Sequence, residues 1–205
     1  MKRILTLIVF CCVVLVLSAQ SDALVRQKIN EAASAMMTMQ CDFVQTKQLK
    51  MLSDNIVSKG KIYYQKSDKL RCEYTSPTSY IFVMNGDKVL LRSKNRNRVI
   101  DVKKNKRFRG IARIMMGSVA GNSLSDEKNF QTTIATTPKE WIATMQPLKK
   151  DMKQMFQKII LHFNRQKAII CAIELIEKNG DKTHIELKNI RANEAISENQ
   201  FVINE

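Results

Sequence analysis

The sequence predicts a mainly β protein, with one antiparallel sheet and a small number of helices. Apolar and polar residues alternate over most of the chain after residue 40, which is the period of a half-buried strand. Asn-Gly pairs at 85–86 and 179–180 lie between such segments, as expected for tight hairpin turns. Helical spacing of apolar residues is confined to the segments 22–39 and 107–121 and a short turn at Met152–Phe156.

The strands follow from this alternation and from the turn residues between them. The clearest hairpin pairs 80–84 with 88–92, because Asn85-Gly86 readily takes the positive φ angles of a two-residue turn. The other predicted strands end at turn or Pro residues. They cover approximately 41–51, 56–66, 70–74, 98–103, 129–136, 139–147, 157–164, 168–177 and 182–191.

Two helices are predicted to carry apolar faces toward this sheet. The first covers 22–39, where apolar residues from Leu24 to Met37 recur at three- and four-residue spacing. The second covers 107–121 and interrupts the run of strands. An amphipathic helix in that position must rest its apolar side on the sheet, so it is a candidate lid.

The first twenty residues have the features of a secretory signal peptide. Lys2 and Arg3 precede an apolar run from Ile4 to Leu17, which is shorter than the roughly 20 residues that a membrane span needs. Residues preceding position 21 fit a cleavage site imperfectly, so an uncleaved anchor remains the alternative. We expect export from the cytoplasm and one mature domain over 21–205.

The mature chain is strongly basic. The signal segment holds two of the 34 basic residues and none of the 19 acidic ones, so the mature net charge is +13. No nucleic-acid-binding motif is present, and an exported basic protein is expected to meet anionic lipid or an acidic partner instead. The stretch from Asp87 to Arg113 has a net charge of +9. This basic stretch has two possible interpretations. It is either a solvated face or a docking surface, and the docking surface would be formed by Arg92, Lys94, Arg96 and Arg98.

The sequence predicts no catalytic site, metal site or cofactor. His162 and His184 lie in separate strands without the spacing of metal ligands. The segment Gly117–Gly121 lacks the central Ser of a nucleophile elbow. Three cysteines, Cys41, Cys72 and Cys171, remain after the signal, and each occupies an apolar strand position. A Cys41–Cys72 disulfide stays open as an alternative.

The order of these segments resembles the outer-membrane lipoprotein carrier family. The resemblance covers nearly all of the mature chain and depends on the order and spacing of weak motifs. Those motifs are Phe43-Val-Gln45, Ser58-Lys-Gly60-Lys-Ile-Tyr63, Leu70-Arg71-Cys-Glu-Tyr74, Pro77, Asn85-Gly86-Asp87, Asn179-Gly180, Ile190-Arg-Ala-Asn193 and Phe201.

The resemblance implies an unclosed β-barrel, a strongly curved sheet whose concave apolar face is covered by short helices. A lipid cavity would lie between sheet and helices, although an ordinary dry core is the alternative. The residues assigned to it are Met36, Phe43, Leu49, Leu70, Cys72, Tyr74, Ile81, Val83, Val89, Leu91, Ile111, Ile114 and Met115. Where the family often has an Arg before a Pro, linked to cargo release, this chain has Lys66 and Ser67. Lys keeps the charge without the planar fork of Arg.

The function implied by the resemblance is that of a monomeric, non-enzymatic periplasmic carrier. It would bind the acyl chains of a lipoprotein cargo that an inner-membrane ABC-type lipoprotein exporter loads into the cavity. It would pass the cargo to an outer-membrane acceptor or an anionic lipid surface. A lipid-sensing or glycolipid-binding module on the same fold is the alternative, because a shared fold does not decide function.

Overall fold

The computed structural model describes residues 22–66, 68–94, 96–104, 116–117, 124 and 126–203. It contains helix α1 over 22–35, helix α2 (Lys150–Met155), and a 3-10 helix, Glu198–Phe201. Within those ranges, no helix combines the length and the apolar character that a membrane span requires. The strands are β1 (Thr38–Gln48), β2 (Ile56–Gln65), β3 (Lys69–Ser76), β4 (Tyr80–Asn85), β5 (Lys88–Ser93), β6 (Arg96–Asp101), β7 (Phe130–Thr136), β8 (Glu140–Pro147), β9 (Phe156–Asn164), β10 (Ile170–Glu177) and β11 (Lys182–Ala192).

The eleven strands form one antiparallel sheet that does not close. Their order is β6-β5-β4-β3-β2-β1-β11-β10-β9-β8-β7, so β6 and β7 are the two edges. Neighbours in the sheet are neighbours along the chain except at β1–β11, where the first and last strands pair. The predicted fold class is therefore confirmed, and the connection 102–129 runs from one edge to the other.

The sheet curls around one apolar interior. Eleven flat strands would be about 48 Å wide at their usual spacing, yet residues near both edges, Ile100 and Phe130, belong to the same buried cluster. Helix α1 contributes Val25 and Ile29 to that cluster, and Met36 just beyond its end does the same. The helix therefore packs on the concave face, as predicted.

The strands run between two ends of the sheet, a proximal end and a distal end. The proximal end is where α1 enters β1, and it also carries the connections from β2 to β3, from β4 to β5 and from β9 to β10. The distal end is where β1 leads into β2 through residues 49–55, and it carries α2 and the β10–β11 turn at 178–181.

The C-terminal segment covers part of the convex face. Phe201, which is 1% exposed, packs with Val83 and Leu90 in a second buried cluster. The segment is held by a hydrogen bond from Asn85 Nδ2 to the Phe201 carbonyl (3.2 Å) and by the Lys69–Glu198 ion pair (2.6 Å). One sheet therefore has apolar packing on both faces.

The structure corrects the predicted end of the first helix. The helix was predicted to reach residue 39, but α1 ends at residue 35 and β1 begins at Thr38. Met39 is fully buried in β1, paired with Tyr64 on β2. Strand pairing and burial of Met39 therefore outweigh the helical spacing of Met36 and Met37.

The predicted lid helix lies almost entirely outside the described residues. Of the segment 107–121, only Met116 and Gly117 are described, and both are in helical conformation. Met116 packs against the main core. The predicted hairpin is confirmed, but its two turn residues are Gly86, at a φ of 56°, and Asp87, because Asn85 still pairs with Lys88 in the strands.

Candidate functional site

The candidate site is the concave apolar face of the sheet. Cross-strand partners share a face, so the pairing registers show that rows of apolar side chains run across it. The row nearest the proximal end consists of Met39, Tyr64, Leu70, Met84, Val89 and Ile100. The next row consists of Cys41, Ile62, Cys72, Phe82 and Leu91.

Burial on the part of this face formed by β3, β4 and β5 decreases toward the distal end. Leu70 and Val89, near the proximal end, are 1% and 0% exposed. Further along the same strands the apolar side chains become half-buried while still contacting the core: they are Tyr74, Tyr80 and Leu91, together with Leu175 and Ile185 across the sheet. Over β3 to β5 the concave face is therefore covered at one end and partly open at the other, whereas Phe130, Met145 and Ile159 stay buried at the distal end of β7 to β9.

An aromatic group with one polar pair lies in the half-buried part. The rings of Phe43 and Tyr74 meet edge to face at 4.9 Å, and the Tyr80 ring lies 6.0 Å from Tyr74. The Tyr74 hydroxyl donates to Gln45 Oε1 at 3.0 Å. Burial raises the pKa of Tyr74 to about 12, so the hydroxyl stays protonated and can donate. This arrangement offers an apolar chain flat aromatic surfaces and a hydrogen-bonding group at the partly open end.

Gly60 makes the approach of Phe43 possible. A Cβ at this position would lie 2.1 Å from the Glu73 carbonyl oxygen and 2.6 Å from the Phe43 ring. The pairing of Phe43 with Gly60 across β1 and β2 therefore requires a residue without a side chain.

The two buried cysteines on this face are free thiols. Cys41 on β1 and Cys72 on β3 both pair with Ile62 on the strand between them. Two strand spacings amount to about 9.5 Å, which is beyond the reach of a disulfide. Burial raises the pKa of each thiol to about 12, so both are unreactive. The open alternative of a Cys41–Cys72 bridge is thereby excluded in this structure.

Two basic side chains hold α1 against the sheet. Lys66 Nζ donates to the Ser34 carbonyl at 2.8 Å, in the last turn of α1. Arg26 donates from its two Nη atoms to the carbonyls of Leu124 (2.9 Å) and Thr132 (2.7 Å). Because Thr132 lies in edge strand β7 and Leu124 in the connection 102–129, Arg26 joins the helix to the open side of the sheet. Sequence reasoning missed Arg26, since a single Arg on a helix carries no distinguishing pattern.

Most predicted cavity residues lie on the concave side, with two exceptions that we correct. Met36, Phe43, Leu70, Cys72, Tyr74, Val89 and Leu91 all contribute to the main core. Ile81 and Val83 were assigned to the same face, which is wrong. They pair with Glu73 and Arg71 and pack with the C-terminal segment on the convex face. Leu49 lies one residue beyond β1 and is half-buried, and Ile111, Ile114 and Met115 are outside the described residues.

The residues that sequence reasoning missed form the other half of the concave face. Strands β7 to β11 contribute fully to the main core, although none of their residues was predicted for the site. The buried ones are Phe130, Trp141, Ala143, Met145, Ile159, Leu161, Phe163, Ile170, Ile173 and Leu187. Their period-two spacing in β8 and β9 is visible in the sequence, so the pattern that identified the first half could have found them.

The predicted docking residues do not form one surface. Arg98 pairs with Leu91 and Arg96 pairs with Ser93, so both exposed arginines lie on the concave side of edge strand β6. Arg92 pairs with Ile81 on the convex side and is half-buried. Lys94 is exposed in the turn between β5 and β6, at the distal end.

Both histidines lie on the convex face, away from the apolar interior. His162 Nδ1 is 3.0 Å from Glu140 Oε2, and His162 Nε2 is 3.3 Å from Glu174 Oε1. His184 Nδ1 is 3.6 Å from the same Glu174 oxygen. The sheet therefore separates these ionisable groups from the candidate site.

The fold is thus a curved, unclosed antiparallel sheet around an apolar interior. The sequence matches the family model of the outer membrane lipoprotein carrier protein LolA over residues 34–204. The chain therefore belongs to the LolA family, whose members are carrier or binding proteins, and the resemblance stated from the sequence is confirmed. No curated protein sequence matches it significantly.

Solved structures share the fold at low sequence identity. An uncharacterized conserved protein from Thermus thermophilus aligns with a TM-score of 0.54 and 8% identity, over 88% of this chain and 92% of that one. MucB in the Pseudomonas aeruginosa MucA/MucB complex aligns with a TM-score of 0.52 and 11% identity, over 87% of this chain and 59% of that one. A LolA superfamily protein from Nitrosomonas europaea aligns with a TM-score of 0.47 and 9% identity, over 89% and 97%.

Proposed function

We propose that this protein is a periplasmic carrier that binds the acyl chains of lipoproteins on its concave apolar face. In this proposal residues 1–20 are a cleaved signal peptide and 21–205 form one carrier domain without enzymatic activity. An inner-membrane ABC-type exporter supplies the cargo. The cargo leaves to an outer-membrane acceptor or to an anionic lipid surface.

The energetic need for such a carrier follows from the acyl chain. A 16-carbon chain costs about 12 kcal/mol to expose to water, at roughly 0.8 kcal/mol per carbon unit. A carrier has to offset most of this cost and still release the chain. A sheet with an accessible apolar interior meets both requirements, because the ligand replaces water at surfaces that are not yet packed.

The observation that supports this proposal is the decrease in burial along β3, β4 and β5. An ordinary core would bury apolar side chains along its whole length. Tyr74, Tyr80 and Leu91 are instead half-buried beside fully buried neighbours. Chains bound there would extend the existing apolar rows, with Gln45 and Tyr74 near their polar ends.

Closure of the site is proposed to depend on α1 and on the connection 102–129. Lys66 holds the C-terminal turn of α1, and Arg26 holds the helix to the edge strand and to Leu124. Movement of Leu124 would break one of the two Arg26 bonds and would leave α1 held to β7 through Thr132 alone. We therefore expect Arg26→Met to speed release of a bound fatty-acid probe, whereas Lys66→Arg should slow it or leave it unchanged, since Arg offers more donors to the same carbonyl.

Mass spectrometry of the protein isolated from its own periplasm tests the proposal directly. Co-purified lipoprotein or acylated peptide would support it. The matched variants Leu91→Glu and Val202→Glu each add a carboxylate, the first on the concave face and the second on the exposed C-terminal segment. Loss of acyl-chain binding in Leu91→Glu alone is expected. Equal binding by both variants, with both folded by circular dichroism, would refute the concave face as the site.

The basic residues near β6 are proposed to guide an acidic partner to the same site. Arg96 and Arg98 lie beside Leu91 on the concave side. Reversing the charge of Arg96 and Arg98, the two that share the concave side, should slow cargo transfer, most strongly at low salt. Unchanged transfer by a folded variant would argue against this docking role.

A sensor on the same fold is the second candidate. The likeness to MucB, which was solved in complex with MucA, favours this alternative. A sensor is expected to co-purify with a membrane signalling partner. A carrier is expected to co-purify with acylated cargo, so the same mass spectrometry separates the two functions.

A further inference from the structure

The distal end of the sheet exposes an apolar hairpin tip. Between β1 and β2, Met51 is 96% exposed and Leu52 is 55% exposed, and Ile56 at the start of β2 is 41% exposed. These three side chains lie within six residues of one another. Val57, next to Ile56, is 46% exposed as well, whereas Met37 and Val202 occur singly among the described residues. A concentration of large apolar side chains in water is unfavourable unless something covers them.

The tip is held in place by the neighbouring β10–β11 turn. The Lys50 amide donates to Asp181 Oδ1 at 2.9 Å, and the Leu52 amide donates to the Leu49 carbonyl at 2.9 Å. Lys47 Nζ lies 3.4 Å from Glu177 Oε1. The apolar side chains are therefore presented on a braced turn.

The segments beside the tip, at the same end of the molecule, carry more lysines than aspartates. The amide of Lys178 donates to the Met155 carbonyl at 2.9 Å, which places α2 beside the β10–β11 turn. The segments 49–55, 148–155 and 178–181 carry five lysines and three aspartates. Two of the aspartates accept hydrogen bonds from nearby backbone amides. Asp181 accepts from the Lys50 amide, and Asp151 accepts from the Met152 amide. Leu148, which is 43% exposed, adds a further apolar side chain.

We propose that this distal end docks onto an anionic lipid bilayer, with Met51 and Leu52 entering the boundary between head groups and acyl chains. Exposed apolar side chains ringed by lysines are the chemistry of peripheral membrane attachment. The lysines of segment 148–155 contact lipid phosphates. In this orientation the half-buried part of the concave face opens toward the bilayer, so a bound chain passes between protein and membrane without crossing bulk water.

Binding to vesicles tests this docking mode. The protein is isolated as the cell processes it, and its N-terminus is determined by mass spectrometry. It is then mixed with vesicles of phosphatidylcholine alone or with phosphatidylglycerol added. We expect sedimentation with the anionic vesicles that weakens as salt is raised. Met51→Glu should reduce the bound-to-free ratio about tenfold, which corresponds to loss of one large buried apolar side chain.

Matched variants control for general effects of charge and for any effect of the N-terminal segment on vesicle binding. Met37→Glu makes the same change at an exposed Met on the proximal end and should bind as the parent does. The double variant Lys149→Glu with Lys150→Glu should lose binding, whereas Lys139→Glu with Lys167→Glu, of equal charge at the proximal end, should lose less. Equal losses in the two members of either pair, or no binding by the parent, would overturn the proposal.

The outcome for docking is separate from the outcome for cargo. Vesicle binding that depends on Met51 would support the membrane contact even if no acylated cargo co-purified. A folded protein that carries cargo but ignores anionic vesicles would leave the carrier function in place and overturn the docking mode. A Met51→Trp variant adds an independent readout, because the single native Trp141 is buried. Its emission should move to shorter wavelength with anionic vesicles.

Discussion

Replacing Phe201 by Ala should destabilise the protein without impairing ligand binding. The ring is 1% exposed and packs with Val83 and Leu90 on the convex face. Truncating a buried Phe to Ala costs about 3–5 kcal/mol through lost transfer energy and the cavity left behind. In a domain of this size, each kcal/mol lowers the midpoint of thermal unfolding by roughly 2–4 °C. We therefore expect the midpoint to fall by about 6–20 °C.

Urea unfolding followed by circular dichroism gives the free energy, and a fluorescent fatty acid gives the binding. The neighbouring change Val202→Ala is the control, because Val202 is 46% exposed. It should shift stability by no more than about 0.5 kcal/mol. A Phe201→Ala protein that loses less than about 1 kcal/mol would refute the second core. A folded one that no longer binds fatty acid would place Phe201 in the ligand site instead.

Three further predictions follow from local contacts. Gly60→Ala should lower urea stability by at least about 2 kcal/mol, since its Cβ would overlap a backbone carbonyl and a ring; a neutral effect would contradict the packing. Cys41 and Cys72, with pKa values raised to about 12 by burial, should react with thiol reagents at pH 8 only after denaturation. The hydrogen bond from Lys69 lowers the pKa of Glu198 below its ordinary 4.5, so this stabilisation is present above pH 4.5 and fades as the carboxylate is protonated. In the Lys69→Met variant, the free energy of unfolding measured as the pH is lowered should lack this contribution.

The strands could be predicted from the sequence because each is a local pattern. The hairpin around Asn85-Gly86 required only alternation and a turn that accepts positive φ, and both are visible in the sequence. The assignment of faces failed at the same hairpin. Val89 pairs with Met84 across the turn and Leu90 pairs with Val83, so Val83 and Val89 must lie on opposite faces. Alternation shows which residues of one strand share a face. The pairing register is needed to know which residues of the next strand lie on that same face.

The nonlocal features could not be read from local patterns. The pairing of β1 with β11 joins residues about 150 positions apart, such as Met39 with Ala192. The end of α1 was misplaced because Met36 and Met37 continue a helical spacing that strand pairing overrides. The C-terminal segment, with Phe201 and Ile196, is too short and irregular to indicate that it covers the convex face.

Under the proposed function, the second core explains how the protein can stay stable while part of its concave face is left accessible to a ligand. A sheet that closes gains hydrogen bonds between its edge strands, and this one leaves β6 and β7 unpaired with each other. Packing the concave face more tightly would restore stability, but it would remove the space that a ligand needs. Burial of Phe201 on the opposite face stabilises β4 and β5 without competing for that space. The expected signature is that convex-face substitutions change stability alone, whereas concave-face substitutions such as Leu91→Glu change binding.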